Sequence, residues 1–364
     1  MANPNDGVLE ALALAVSVRV PVLLWGPPGT GKSSAVASMC ETIGVPYEVV
    51  IASIREPSDF SGLPVVKEEQ VEFAPPRWAK RLSDAGGGLL FLDEISTAPP
   101  AVQAALLRVV LERVVGDLSL PEELSIVAAA NPPDQAADGW DLSSPLANRF
   151  CHLDWLVDPV GVATGLMAGF PPPRVPNLPA SWEKQIPSSA ALVGGFLAVR
   201  PSLAVQPPIE RALAGKAWPS PRTWEMLSKL LAAAQTIDAS PETIRNLVFG
   251  CVGEGAGIEF LEWLQDLDLP DPEIALQDPD GVVFPERGDR LYAALSAVAG
   301  AVAADPTPER WLAGWRVLAV ATAQAPDVGA MAARVLAQIR PEGVSAPTEA
   351  AAFLPVLKAA GLVE

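Results

Sequence analysis

The chain has 364 residues, half of them hydrophobic, which is enough for two or three domains with cores of their own. It contains no run of 18 apolar residues, so no membrane span is expected, and 1–6 (MANPND) lacks the basic start and unbroken apolar core of a signal peptide. Its 25 basic residues are scattered among 43 acidic ones, for a net charge of −18, so the clustered Lys and Arg of a nucleic-acid-tracking surface are missing.

Residues 8–18 alternate in a helical way and lead into Val20-Pro21-Val22-Leu23-Leu24-Trp25, an apolar run that reads as a buried strand. Next comes Gly26-Pro27-Pro28-Gly29-Thr30-Gly31-Lys32-Ser33, which matches the phosphate-cradling pattern G-x-x-x-x-G-K-[ST]. Ser34 continues into a helix start, so the motif stands between a strand and a helix, as it must. The glycines let backbone N–H groups approach a polyphosphate, and the positive end of the helix faces the same charge. Lys32 is expected to reach the β- and γ-phosphates, and the Ser33 hydroxyl to bind Mg²⁺. The alternative is a Gly/Pro turn with a solvated lysine, which the flanking elements disfavour.

Leu89-Leu90-Phe91-Leu92-Asp93-Glu94 reads as a parallel strand ending in two carboxylates. Asp93 is placed to hold a Mg²⁺ hydration shell beside Ser33, and Glu94 to polarise a water for attack on the γ-phosphate. Otherwise the pair is simply acidic residues at a helix start. A GTPase would need an Asn-Lys-x-Asp base reader, and none is present. Residues 97–115 read as a helix opened by Pro99 and Pro100, with Val102, Leu106, Val109 and Arg113 on one side. Ser125-Ile126-Val127-Ala128-Ala129-Ala130-Asn131 is a further buried strand, followed by Pro132-Pro133. Asn131 would sit between the two earlier strand ends and orient the attacking water, or merely close an Asx turn. The alternation of β and α segments from 20 to about 158 implies an α/β core, a mostly parallel sheet with helices on both faces.

Residues 171–189 hold six prolines and read as a loop. Helical patterns follow near 189–199, 207–215, 221–236 and 241–252, then a linker at 267–272, then helices at 289–304, 308–324, 327–339 and 348–360. Ser220 can cap a helix with Pro221 at its first position, which leaves Arg222 in a first turn where a cation wants an anion. Trp311 and Trp315 fall at i, i+4, as a core stripe or a partner-binding one. Cys40, Cys151 and Cys251 show no metal spacing and read as reduced core thiols in a cytoplasm; His152 reads as structural.

The spacing of GPPGTGKS, LLFLDE and AAANPP resembles that of an AAA+ ATPase of the MoxR type. Pro145-Leu146-Ala147-Asn148-Arg149-Phe150 resembles the segment with the arginine finger, and Ser220-Pro221-Arg222-Thr223-Trp224 the second sensor at the start of a lid helix. Arg113 and Arg108 are the other finger candidates. The stretches 59–63 with 71–75, and 111–116 through 120–121, resemble the two inserted hairpins. The likeness covers roughly 8–265 and implies a core over 1–158, a helical lid over 159–270 and a further helical region over 271–364.

It also implies ATP and Mg²⁺ as cofactors, with 26–34 around the nucleotide, Ser33 and Asp93 on the metal, and Glu94, Asn131, Arg149 and Arg222 catalytic. Arg222 would sense the γ-phosphate from the lid, and Arg149 would enter a neighbour's site, which makes a homo-oligomeric ring, a hexamer by the habit of the family. Relatives of this type pair with proteins carrying a von Willebrand A domain, so a chaperone-like remodeller of a protein partner is implied. An ATP-switched scaffold with little turnover is the alternative, and charge disfavours a nucleic-acid motor.

Overall fold

The structure, a computed structural model, describes residues 5–67, 69–132, 140–210, 213–266, 269–323 and 326–359. Of the stretches read above, 1–4, 68, 133, 211–212, 267–268, 324 and 360 lie outside these. Two compact units are present, each built from several chain segments: 1–178, 205–230 and 237–257 in the first, and 179–204, 231–236 and 258–364 in the second.

The first unit opens with helix α1 (Asp6–Ser17), then strand β1 (Val22–Trp25), α2 (Lys32–Ile43), β2 (Tyr47–Ile51) and the short α3 (Ser58–Ser61). The hairpin β3 (Leu63–Lys67) and β4 (Gln70–Ala74) comes next, then α4 (Arg77–Asp84), β5 (Gly88–Asp93) and α5 (Pro100–Glu112). A second, two-residue hairpin, β6 (Val114–Val115) and β7 (Leu118–Ser119), precedes β8 (Leu124–Ala130), α6 (Ser144–Ala147), β9 (Cys151–Asp154) and α7 (Pro159–Ala168). The main sheet has the order β2-β5-β8-β1-β9. All its pairings are parallel. β8 is buried at all seven positions, as a central strand covered on both faces must be, and its Ser125 hydroxyl donates to the Val16 carbonyl of α1.

α5 follows the prediction: Pro100 starts it, Val102, Leu106 and Val109 are buried, and Arg113 ends it in a left-handed conformation at φ 54. Both expected hairpins form. They meet where the Asp117 N–H donates to the Phe73 carbonyl at 3.0 Å and the Asp117 carboxylate accepts from the Phe73 N–H at 2.7 Å. Gly62 (φ 82) sits in that junction, and a Cβ there would lie 2.7 Å from the Gly116 backbone. Among the described residues of 207–215, 207–210 form no helix, Leu213 is in a 3-10 turn with its N–H donating to the Glu210 carbonyl at 3.0 Å, and 214–215 are turn; Pro207 and Pro208 supply no N–H for a helical ladder. α7 was not foreseen. The helix Pro241–Asp266 runs past the expected 252, interrupted where Gly253 leaves helical geometry at φ 77, ψ 164. Its residues 241–257 belong to the first unit.

The second unit is helical. Ile186–Val199 follows a short 3-10 turn over Ala180–Gln185, so only the first part of 171–189 is loop. Helices Pro272–Gln277, Gly288–Ala304, Pro308–Ala321, Ala330–Gln338 and Leu354–Ala359 complete it. Thr307 caps Pro308–Ala321 by accepting from the Arg310 N–H. Trp311 and Trp315 are both buried, edge to face with centroids 5.9 Å apart, and Trp311 donates to the Leu336 carbonyl at 2.7 Å. They are core residues, which removes the partner-binding stripe. Cys40, Cys151 and Cys251 are free and buried.

Candidate functional site

The phosphate loop begins at the carboxyl end of β1. Gly29 (φ 74) and Gly31 (φ 90) take left-handed conformations, with open space where a Cβ would stand. Gly31 is the N-cap of α2, and no side chain caps the helix, so its first turn presents N–H groups ready for an anion. The Thr30 hydroxyl donates to the Pro27 carbonyl at 2.8 Å. Lys32 is buried; its Nζ donates to the Gly26 carbonyl at 2.6 Å, to the Pro27 carbonyl at 2.8 Å and to Asn131 Oδ1 at 3.3 Å. Burial pushes its ammonium down from the ordinary lysine value, and the Asp93 charge opposes this. The cation is held by neutral carbonyls, which phosphate oxygens can replace with gain.

Two neighbouring strand ends supply the rest. Ser33 Oγ donates to Asp93 Oδ2 at 2.9 Å, so the proposed metal pair is in contact. Glu94 lies one residue beyond β5 in a left-handed conformation, φ 56, and is exposed. That turn points away from the course of the strand, and the Ser53 hydroxyl donates to Glu94 Oε2. β8 stands between β5 and β1, so Asn131 emerges between the phosphate loop and Asp93, as expected. Ser96 Oγ accepts from the Asn131 N–H at 3.3 Å.

The arginines are placed elsewhere. β9 pairs with β1 in register Val22↔Cys151 through Trp25↔Asp154. Arg149 precedes β9, at the amino ends of the strands, while the phosphate loop follows their carboxyl ends. The four residues of β9 span about 13 Å, longer than an arginine side chain. Arg149 Nη1 donates to the Pro145 carbonyl, and its Nε is buried with no partner among the described residues. Burial lowers its pKa, and the charge of Arg222 lowers it further; the preceding residue, Asn148, accepts from the Ser220 hydroxyl at 2.8 Å, which brings the turn before Arg222 to this end of the sheet. Sequence reasoning put Arg222 over its own nucleotide; here the turn that starts its helix is hydrogen-bonded to Asn148, next to Arg149 in the chain. Arg113 donates to the Leu124 and Arg19 carbonyls, and Arg108 forms an exposed i, i+4 pair with Glu112 at 3.1 Å.

Sequence reasoning missed Ser53, Ser96, Asn148 and Trp155. Trp155 donates to the Thr30 carbonyl at 3.0 Å and braces the phosphate loop from the strand next to it. Short hydroxyl and amide side chains carry no pattern along the chain, and each of these contacts joins residues distant in sequence. Only the Trp after an apolar strand stood out in composition.

A family model described as "AAA domain (dynein-related subfamily)" matches residues 21–150. Among curated proteins, the Psp operon transcriptional activator of Escherichia coli (strain K12) is 35% identical over 139 residues, 36% of this chain and 42% of that protein. Chaperone MoxR1 of Mycobacterium tuberculosis (strain ATCC 25618 / H37Rv) is 28% identical over 133 residues, 35% of this chain and 34% of that protein. This chain therefore spans less than half the length of either relative. A solved structure from Cytophaga hutchinsonii ATCC 33406 is 17% identical with a TM-score of 0.48, covering 73% of this chain and 91% of that one.

Proposed function

With an AAA domain matched at residues 21–150 and a likeness to a MoxR chaperone as the starting point, we propose that the chain hydrolyses ATP as a cytoplasmic head-to-tail ring, a hexamer, and uses the turnover to remodel a protein partner. One observation carries this reading: three adjacent strand ends bring Lys32, Ser33, Asp93 and Asn131 into one hydrogen-bonded cluster, while Arg149 and the turn that starts the Arg222 helix meet at the other end of the sheet.

Bound Mg²⁺-ATP would supply the transferable γ-phosphoryl group and a divalent charge on its oxygens. Lys32 would exchange the Gly26 and Pro27 carbonyls for phosphate oxygens. Ser33 and Asp93 would hold the metal between them. Glu94, once released by Ser53, would take the proton of the attacking water at its carboxylate, and Asn131 would orient that water through its amide. Arg149 and Arg222 of one subunit would stabilise the charge developing in the next subunit's site, which makes the interface heterologous and closes a ring. A partner with a von Willebrand A domain is proposed from the MoxR likeness alone, and remodelling is in keeping with the chaperone named in MoxR1.

The Ser53 contact on Glu94 favours a second reading, a scaffold that binds ATP and barely turns over. Phosphate release per subunit, with mass measured in the presence of ATP, tests both. Wild-type turnover well above that of Glu94→Gln, in a closed ring, supports the remodeller. Turnover no faster than Glu94→Gln leaves the scaffold.

A further inference from the structure

We propose that Asn148 is a positioning residue that locks Arg149 and Arg222 into one unit, so that the neighbouring subunit receives them together. This rests on the ring reading above. Asn148 is buried and directly precedes Arg149. Its Nδ2 donates to the Trp218 carbonyl at 3.0 Å, and its Oδ1 accepts from the Ser220 hydroxyl at 2.8 Å. Both partners lie in the loop that starts the Arg222 helix. The Ser220 hydroxyl in turn accepts from the Thr223 N–H at 3.3 Å, and Thr223 Oγ1 accepts from the Ser220 N–H at 2.9 Å. This is a reciprocal cap around the turn that carries Arg222. A single side-chain amide therefore bridges two segments 70 to 72 positions apart, using one donor and one acceptor.

The clasp has an energetic reason. The Arg222 charge disfavours that of Arg149, and among the described residues no ion pair to Arg149 is seen; its Nη1 donates to the Pro145 carbonyl. Its buried Nε has no partner among the described residues. Without a tether the two segments would drift apart until an anion arrived, and ordering them then would cost affinity for the transition state. Asn148 holds the pair in advance. No carboxylate can do this: it would accept from Ser220, but could not donate to the Trp218 carbonyl, and its charge would quench the arginines.

The test is Asn148→Asp, nearly equal in size, studied beside Arg149→Ala and Lys32→Ala. The expected result is ATP affinity within about twofold of wild type with kcat lowered about tenfold or more, because the variant's own phosphate loop is intact. Mixing it with Lys32→Ala, which has a sound arginine pair but an empty loop, should restore activity. A kcat within about twofold of wild type, while Arg149→Ala is slow, overturns the positioning role. So does a joint loss of affinity and kcat that mixing does not repair, which is the mark of a merely structural residue. If Arg149→Ala itself turns over normally, the ring reading is what fails. Should Asn148→Asp not fold, Ser220→Ala removes the hydroxyl on Oδ1. It should show the same repairable loss, and unchanged turnover there overturns the clasp.

Discussion

The Trp25 indole N–H donates to His152 Nδ1 at 2.9 Å, and this fixes the imidazole as the tautomer whose Nε2–H faces the Ala147 carbonyl at 2.8 Å. The contact joins the last residue before the phosphate loop to the strand that follows Arg149. The Lys216 ammonium lies 3.7 Å from the Trp25 ring centroid, a cation–π contact on the same residue. The lone histidine is thus structural, as its strand setting suggested.

This arrangement predicts acid sensitivity. Burial pushes the His152 pKa from 6.5 down to about 4, with the Ala147 carbonyl opposing and Lys216 adding to the fall. Between those values the unfolded chain binds a proton that the folded one refuses. Stability is fully present above pH 6.5 and is lost as pH drops toward 4, by roughly 3 kcal/mol in all. Urea midpoints followed across that range should fall in wild type. His152→Gln should show a shallower slope, and equal slopes would refute the assignment.

Lys32→Ala should lose nucleotide binding, since the β- and γ-phosphates lose the cation that the loop cluster holds for them. Glu94→Gln should still bind but stop hydrolysing, because an amide is no base. Calorimetry and phosphate release separate the two. Unchanged ATP affinity in Lys32→Ala would sink the site.

Ser53→Ala should raise the basal rate. Its hydroxyl holds the Glu94 carboxylate, and a freed carboxylate samples the catalytic position more often. Two- to tenfold, about 0.4–1.4 kcal/mol, is the scale of one such hydrogen bond. A rate at or below wild type would show that Ser53 supports Glu94 and does not restrain it.

Arg149→Ala and Arg222→Ala should each be slow, and each should recover when mixed with Lys32→Ala. Mixed with one another they should stay slow, because every interface then receives one broken pair. If Arg222 served its own chain's nucleotide, that last mixture would regain activity at interfaces pairing an Arg149→Ala loop with an Arg222→Ala finger. Phosphate release from the three mixtures decides it.

Much of this protein was legible along the chain because the signals are local. The G-x-x-x-x-G-K-[ST] run, the apolar strand ending in Asp93-Glu94 and the buried strand ending in Asn131 each carry their chemistry within a few residues. A parallel strand buried on both faces must be apolar throughout, so β5 and β8 were legible, whereas the edge strand β2, exposed at most positions, was not foreseen. What tertiary structure decided is pairing at a distance. Strand order put Asn131 between Asp93 and the phosphate loop. The register of β9 against β1 put Arg149 at the far end of the sheet, and a hydrogen bond ties Asn148 to Ser220, in the turn before Arg222. Whether two cations serve one nucleotide or two depends on which end of a strand they occupy. No residue's identity encodes that, because strand direction and neighbour are set only when the whole sheet is buried together.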